Sequence, residues 1–294
     1  MLTVLTSGKG APGVTTVALG LALAWPTPVL LVEADPAGGT IRHGYGQGAD
    51  LSGRGLLGWH VAARRIGARE AIWANTVRLQ DERWLVPGVD TPAQAASIDY
   101  TALAATLTGL VGVDVLVDAG RIPGPAGIDP LVAAADKTVV VLRSTLASVH
   151  AAQAAANHIA DLTGSTSVGA IRVEADSLAS VVVGAGRPYP LGDVRAAMTH
   201  AAPLAGEVAW DPTTSAALSD GGPAPRRFDA TPLMRSASRL AGLLASRSKE
   251  QDSLARTTAR QPVSRHHERA ENDDHRLRHR ATSSQEPATV GGAR

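Results

Sequence analysis

The sequence predicts an α/β fold: a doubly wound, mostly parallel sheet with helices on both faces. Three observations carry that expectation. Short apolar, β-branched runs alternate with helix-like segments along residues 1–246, the pattern of parallel strands joined by crossover helices. Some of these runs, such as 28–32 and 139–142, are apolar throughout, as strands covered on both faces are. A glycine-rich stretch, residues 7–13, separates the first run from the first helix.

In chain order, residues 2–6 read as a strand, 7–13 as a loop and 15–24 as a helix. Residues 28–32 give a second strand, and the glycine-rich 38–58 leads into a helix over 56–66. Residues 83–86, before Pro87-Gly88, predict a third strand, 100–111 a helix, and 113–117 a fourth strand ending in Asp118. A strand at 137–142 and an alanine-rich helix at 146–162 follow. Two further strands are expected at 168–173 and 178–183, a helix at 191–200 and a short strand at 206–210. The closing helix, 232–246, puts Leu233, Ala237, Leu240, Ala241 and Leu244 on one face, and such a stripe is expected to dock on the sheet rather than on a membrane. Beyond it the polar composition cannot offset the entropy of ordering, which predicts a disordered basic tail over 247–294.

The chain of 294 residues carries 28 Lys and Arg against 27 Asp and Glu, which gives no general pull toward nucleic acid. The tail holds ten basic and seven acidic residues, leaving a mildly acidic body. Its arginines allow nonspecific contact with DNA phosphates, diluted by the interspersed acids, and its histidines read as solvated. The absence of cysteine excludes disulfide scaffolds, thiolate metal sites and cysteine nucleophiles, and fits a reducing compartment. The apolar runs are too short to cross a bilayer, and no charged start with a cleavage signal precedes an apolar core, so a cytoplasmic protein is expected.

Function is concentrated in Gly8-Lys9-Gly10-Ala11-Pro12-Gly13-Val14-Thr15-Thr16. Between a strand and a helix, such glycines let backbone N–H groups approach a phosphate, and the helix N-terminus adds its positive dipole. The spacing from Gly8 to Gly13 fits a P-loop, with Thr15 where a magnesium-binding hydroxyl belongs. The lysine expected directly after the second glycine is Val14. Lys9, however, is one of three lysines beside 25 arginines, so its place in this loop is informative.

The early lysine resembles the deviant Walker A motif of the ParA/MinD family of partitioning and positioning ATPases, here without the second lysine. Val32-Glu33-Ala34-Asp35-Pro36-Ala37-Gly38-Gly39 is similar to that family's switch I, and Val113-Asp114-Val115-Leu116-Val117-Asp118 to its Walker B strand. Residues 119–124 resemble switch II, and Ala135-Asp136-Lys137 with the strand after it resembles a further family segment; Lys137 itself reads as a solvated strand-edge lysine without a role. The resemblance implies ATP and Mg²⁺ as ligands. Gly8, Lys9, Gly10, Ala11, Pro12, Gly13, Val14, Thr15 and Thr16 would cradle phosphate. Thr15, Asp35 and Asp118 would serve magnesium, with Lys9, Glu33 and Asp35 acting in catalysis and Glu33 positioning water. It also implies a homodimer formed on nucleotide binding, since the signature lysine serves the partner's phosphates, and an unidentified protein partner or cargo. The family's adenine-reading asparagine is missing from Val181-Val182-Val183-Gly184, while Asp211-Pro212 resembles the segment beside the base.

Two other readings stay open at this point. Gly8-x-Gly10-x-x-Gly13 followed by Glu33 also fits a dinucleotide-binding oxidoreductase, but leaves Lys9, Thr15-Thr16, Asp35 and Asp118 unexplained. The loss at Val14 also allows a pseudo-ATPase scaffold, with Lys9, Arg121 or Arg143 as the cations available to compensate.

Overall fold

A computed structural model of the chain describes residues 1–9, 13–47, 53–124, 127–164 and 177–259, with side chains as far as 246. Two units are separated, Met1–Ser253 and Leu254–Arg294; of the second, the helical backbone to Ala259 is described.

The first unit begins β1 (Leu2–Ser7), α1 (Val14–Ala24), β2 (Val29–Glu33), α2 (Leu56–Ile66) and α3 (Ala68–Ala74). A hairpin of β3 (Val77–Gln80) and β4 (Arg83–Val86) leads to α4 (Pro92–Ala95), α5 (Tyr100–Thr108) and β5 (Asp114–Arg121). Then come α6 (Asp129–Ala133), β6 (Lys137–Arg143), α7 (Leu146–Leu162), β7 (Leu178–Val183), α8 (Leu191–Met198), β8 (Leu204–Val208), α9 (Pro212–Ser219) and α10 (Pro232–Ala259). The strands form one sheet in the order β3-β4-β2-β5-β1-β6-β7-β8. Every pair is parallel except β3 on β4.

Successive strand residues point to opposite faces of the sheet and divide the interior into two cores. Val4, Leu30, Val32, Val115, Val117, Val140 and Leu142 face a core built with α2, α3 and α5–α8. Leu5, Val29, Leu31, Leu116, Val139 and Val141 face one built with α1, α9 and α10. Helix α1 is apolar nearly all round because α9 and α10 cover the side turned away from the sheet. The stripe of α10 is buried, with Leu233, Ala237, Leu240, Ala241 and Leu244 all at 3 % exposure or less, as expected of a helix that docks on the core.

The structure departs from the sequence reading in several places. Strand β3 is an edge strand with an exposed, polar pattern, so no continuous apolar run marks it. The four-residue α4 and five-residue α6 are too short for a periodic signal. Strand β5 does not stop at Asp118 but runs on to Arg121, because a bulge re-pairs it with Ser7. Helix α10 continues to Ala259, through residues whose composition predicts a disordered tail. Lys137 is 1 % exposed and not solvated, inside β6 with β1 alongside. The strand expected at 168–173 and the tail from 260 lie outside the described residues.

Candidate functional site

The sheet order sets the site. β5 lies between β1 and β2, so Asp118 pairs in register with Leu5 on one side and Glu33 on the other. The loop after β1 and the carboxylates at the ends of β2 and β5 therefore meet at the carboxyl edge of the sheet, where open α/β sheets bind ligands. The ends of β1 and β5 are stitched together: the Thr6 hydroxyl donates to the Gly120 carbonyl at 3.1 Å, and the Ile122 N–H to the Ser7 carbonyl at 2.8 Å.

Gly8 passes so close to the backbone of Ala151 in α7 that a Cβ would overlap its carbonyl oxygen. Lys9 is exposed to solvent. Gly10, Ala11 and Pro12 lie outside the described residues. Gly13 caps α1 at φ 92°, a left-handed conformation that favours glycine. No side chain caps this helix end, and its first turn carries no acid, leaving the amides and dipole for an anion. Val14, where the second lysine would stand, is the first helical residue and is 6 % exposed, packed into the α1 core. Thr15 and Thr16 follow, both half-buried.

Asp118 is fully buried. Its Oδ1 accepts the Gly120 N–H at 3.1 Å, and its Oδ2 has no hydrogen-bond partner. Its carboxyl is raised to about 7, chiefly by burial and with help from the Glu33 and Asp35 charges, against the lowering pull of Thr15 and of the Gly120 N–H. The Asp35 carboxyl lies against the Cα of Gly120, leaving no room there for a Cβ, and accepts the Ala37 N–H at 2.8 Å. Tyr100, at the start of α5, is 5 % exposed with its hydroxyl unpartnered, and burial, then the Asp35 charge, push the phenol up to about 12. Nothing in the sequence marked this tyrosine as near Asp35.

Glu33 is held by the backbone around it. It is 1 % exposed, and its Oε1 accepts the N–H of Thr40 at 2.5 Å and of Ile41 at 2.9 Å, while Oε2 accepts that of Gly88 at 2.9 Å. All three donors are backbone N–H groups, so the side chain ties the segment after β2 to the loop after β4. Exchanging it for glutamine puts an amide N–H₂ against at least one of these N–H groups. A buried unsatisfied donor costs about 1–3 kcal/mol, so Glu33→Gln is expected to lower the melting temperature by roughly 2–12 °C in a domain of this size. Thermal unfolding followed by circular dichroism tests this, and an unchanged midpoint removes the clamp.

On the other side of Gly13 lies a cavity of about 300 Å³, lined by Thr16, Val17, Arg143, Trp210, Asp211 and Pro212 among others. The Arg143 guanidinium covers the Trp210 ring at 4.0 Å from its centroid, with Arg187 at 5.8 Å. Gly184, at the end of β7, has φ 69°, and a Cβ would come within 3.3 Å of the Trp210 Cβ. The place where an asparagine was sought is thus a glycine packed on a tryptophan. Asp211 faces inward to its own helix: it accepts from the Thr214 N–H at 3.1 Å and hydroxyl at 2.7 Å. Partial burial pushes its carboxyl up, but the Thr214 hydrogen bonds outweigh that and hold it below the usual range. Of the two arginines considered as compensating cations, Arg143 is committed to the Trp210 stack and Arg121 is exposed at the end of β5.

The donors present fit magnesium. Mg²⁺ is commonly held by one or two carboxylates together with phosphate and water rather than by a full protein cage. An unpartnered buried carboxylate oxygen beside a threonine hydroxyl at the head of α1 supplies that partial set, and no group of three or more ligating side chains occurs among the described residues.

A parallel sheet with a glycine-rich connection between its central strand and first helix, and an aspartate inside the adjoining strand beside that helix, has the architecture of a P-loop fold. Its particular form is the ParA/MinD-like P-loop ATPase fold. The chain is similar to the septum site-determining protein MinD of Pyrococcus horikoshii complexed with Mg-ADP, at 18 % identity and a TM-score of 0.62, over 88 % of this chain and 98 % of that one. It is similar to a ParA family ATPase of Chlorobium tepidum at 12 % identity and TM-score 0.61, over 81 % and 98 %. The McdA–ATP complex of Cyanothece matches at 15 % identity and TM-score 0.58, over 83 % and 96 %. No family model and no curated protein matches the sequence.

Proposed function

We propose that the chain binds ATP with magnesium and works as a nucleotide-dependent dimerisation switch in positioning or partitioning a cargo, with hydrolysis weak or lost. The observation that carries this is the empty valence of Asp118: a buried carboxylate oxygen without a partner faces an uncapped helix N-terminus whose loop is built for phosphate. Leaving such a group unsatisfied is costly unless a ligand completes it. The amides preceding and opening α1 would hold the phosphates, Thr15 and Asp118 the magnesium, and Asp35 would stand beside it. The cavity at Trp210 would take the base. Bound magnesium would neutralise phosphate charge. Lys9, exposed on the monomer, would find its phosphate on a second copy, which is why dimerisation accompanies binding. Two observations favour a binding function over turnover: Val14 is packed into the core, and Glu33 is held by three backbone N–H donors.

No helix among the described residues is long and apolar enough to cross a membrane; the site of action proposed is the cytoplasm. The arginines of the tail would add nonspecific contact with DNA.

Isothermal calorimetry with ATP in the presence and absence of magnesium, alongside phosphate release, tests the reading. Wild type is expected to bind in a magnesium-dependent way with little turnover, and Lys9→Ala to lose nucleotide-dependent dimerisation in sedimentation. Equal ATP binding by wild type and Lys9→Ala, with both monomeric throughout, removes the switch; no ATP binding by wild type removes the nucleotide itself.

A further inference from the structure

Away from the phosphate loop, α2 shows solvent an apolar face that the fold does not use. Leu56 and Trp59 are buried beneath it, yet Leu57, Val61 and Ile66 are 38, 61 and 51 % exposed. Together with Gly58 and Ala62, these three side chains line one side of a groove of about 690 Å³, whose other side is the end of β4 at Gly88, Val89 and Asp90. Gly58 is small because Asn75 and the Gly53 carbonyl pack against it, where a Cβ would overlap both. Leu57 and Val61, one turn apart, are exposed apolar side chains beside Arg65, with Ile66 at the far end of the groove, and apolar side chains grouped among polar ones mark interaction surfaces.

The rim is cationic. Arg42, Arg54 and Arg65 line the groove, against a single carboxylate, Asp90. Asp90 is shared at long range, 3.8 Å from Arg42 and 4.0 Å from His43. Arg42 and Arg54 are aimed by backbone carbonyls: Arg42 Nη2 donates to the Arg54 carbonyl at 2.9 Å, and Arg54 Nη1 to that of Thr76 at 3.1 Å. Arg42 Nε is buried without an acceptor. The lining thus joins surplus positive charge to exposed apolar side chains.

We propose that this groove docks an acidic amphipathic helix of another protein, its apolar side chains on Leu57, Val61 and Ile66 and its carboxylates on Arg42, Arg54 and Arg65. An apolar stripe supplies affinity and the flanking charges fix register, as in other helix-in-groove interfaces. Arg42 follows directly on the backbone that Glu33 holds at Thr40 and Ile41. The surface lies outside the phosphate loop and does not depend on nucleotide being bound.

The test uses the full chain and a synthetic helical peptide of about 16 residues, long enough to span α2, with leucines on one face and glutamates flanking them. A second peptide carries lysine for every glutamate. Binding is read by fluorescence anisotropy and mapped by amide chemical shifts. The glutamate peptide is expected to bind wild type at least tenfold more tightly than the lysine peptide. It should bind at least tenfold more weakly to Val61→Asp and to Arg65→Glu, both exposed positions where the fold survives, as circular dichroism would verify. Shifts should centre on α2 and the end of β4. Equal binding of the two peptides, undiminished binding to the variants, or shifts centred elsewhere would overturn the proposal. So would a wild-type dimer in sedimentation that Val61→Asp dissociates, because the occupant is then a second copy of this chain.

Discussion

Replacing Asp118 by asparagine is expected to make the ligand-free protein more stable above pH 7 and to abolish the magnesium-dependent part of nucleotide binding. The side chain is fully buried, Oδ2 has no partner, and burial raises the carboxyl to about 7 from 3.8. The folded state therefore holds this proton more tightly than the unfolded state does. Stability contributed by the protonated group is whole below about pH 4 and is lost as pH rises toward 7, where the group must ionise in place. A shift of that size corresponds to at most about 4 kcal/mol. Asparagine keeps the acceptor for the Gly120 N–H and removes the charge. The variant should match wild type near pH 4 and gain progressively between pH 4 and 7, with a plateau beyond. Melting curves of both proteins from pH 4.5 to 8.5, without nucleotide or magnesium, give the comparison. A variant less stable than wild type at pH 8 would mean that the charge is already satisfied and that Asp118 is not held open for a ligand. Such an exchange of stability for function is common at binding sites.

The parts of the site that were legible in the sequence are those whose signal is local. A strand, a glycine loop and a helix are contiguous in residues 2–24, and Asp118 directly follows the apolar Val115-Leu116-Val117, so their types and order could be read directly. What could not be read depends on contacts far apart in the chain. Glu33 looks like a catalytic acid until its three donors, contributed by residues 40, 41 and 88, are placed around it. Trp210 and Arg143 meet across 67 positions, and neither carries a motif. Lys137 reads as a surface cation because lysines are rarely buried, whereas the strand it belongs to has neighbours on both sides. The edge hairpin β3–β4 has too little burial to impose a pattern on Val77–Gln80. Position 14 combines both cases: the sequence shows the missing lysine, and the structure shows what replaced it.

Restoring that lysine should produce opposite effects with and without nucleotide. Val14 is 6 % exposed and belongs to the core beside α1. Val14→Lys removes its packing and brings an ammonium to the head of the helix, where the dipole is unfavourable to a cation. Without ligand the variant should lose about 1–3 kcal/mol, the usual cost of disturbing a well-packed apolar site. With ATP and magnesium present, the ammonium gains a charge-assisted hydrogen bond of about 1.5–3 kcal/mol to phosphate, equivalent to roughly a ten- to hundredfold gain in affinity. Hydrolysis should rise as well, since the same cation stabilises charge developing on the transferring phosphoryl group. The readouts are melting temperature against ATP concentration, and phosphate release at saturating ATP. Wild type and variant are expected to exchange rank as ATP is added. If Val14→Lys is destabilised by the same amount at every ATP concentration, the ammonium does not reach a phosphate, and the loop before α1 does not hold a triphosphate in the orientation proposed. If affinity rises while phosphate release stays at background, the valine has cost only binding, and turnover is limited elsewhere in the site.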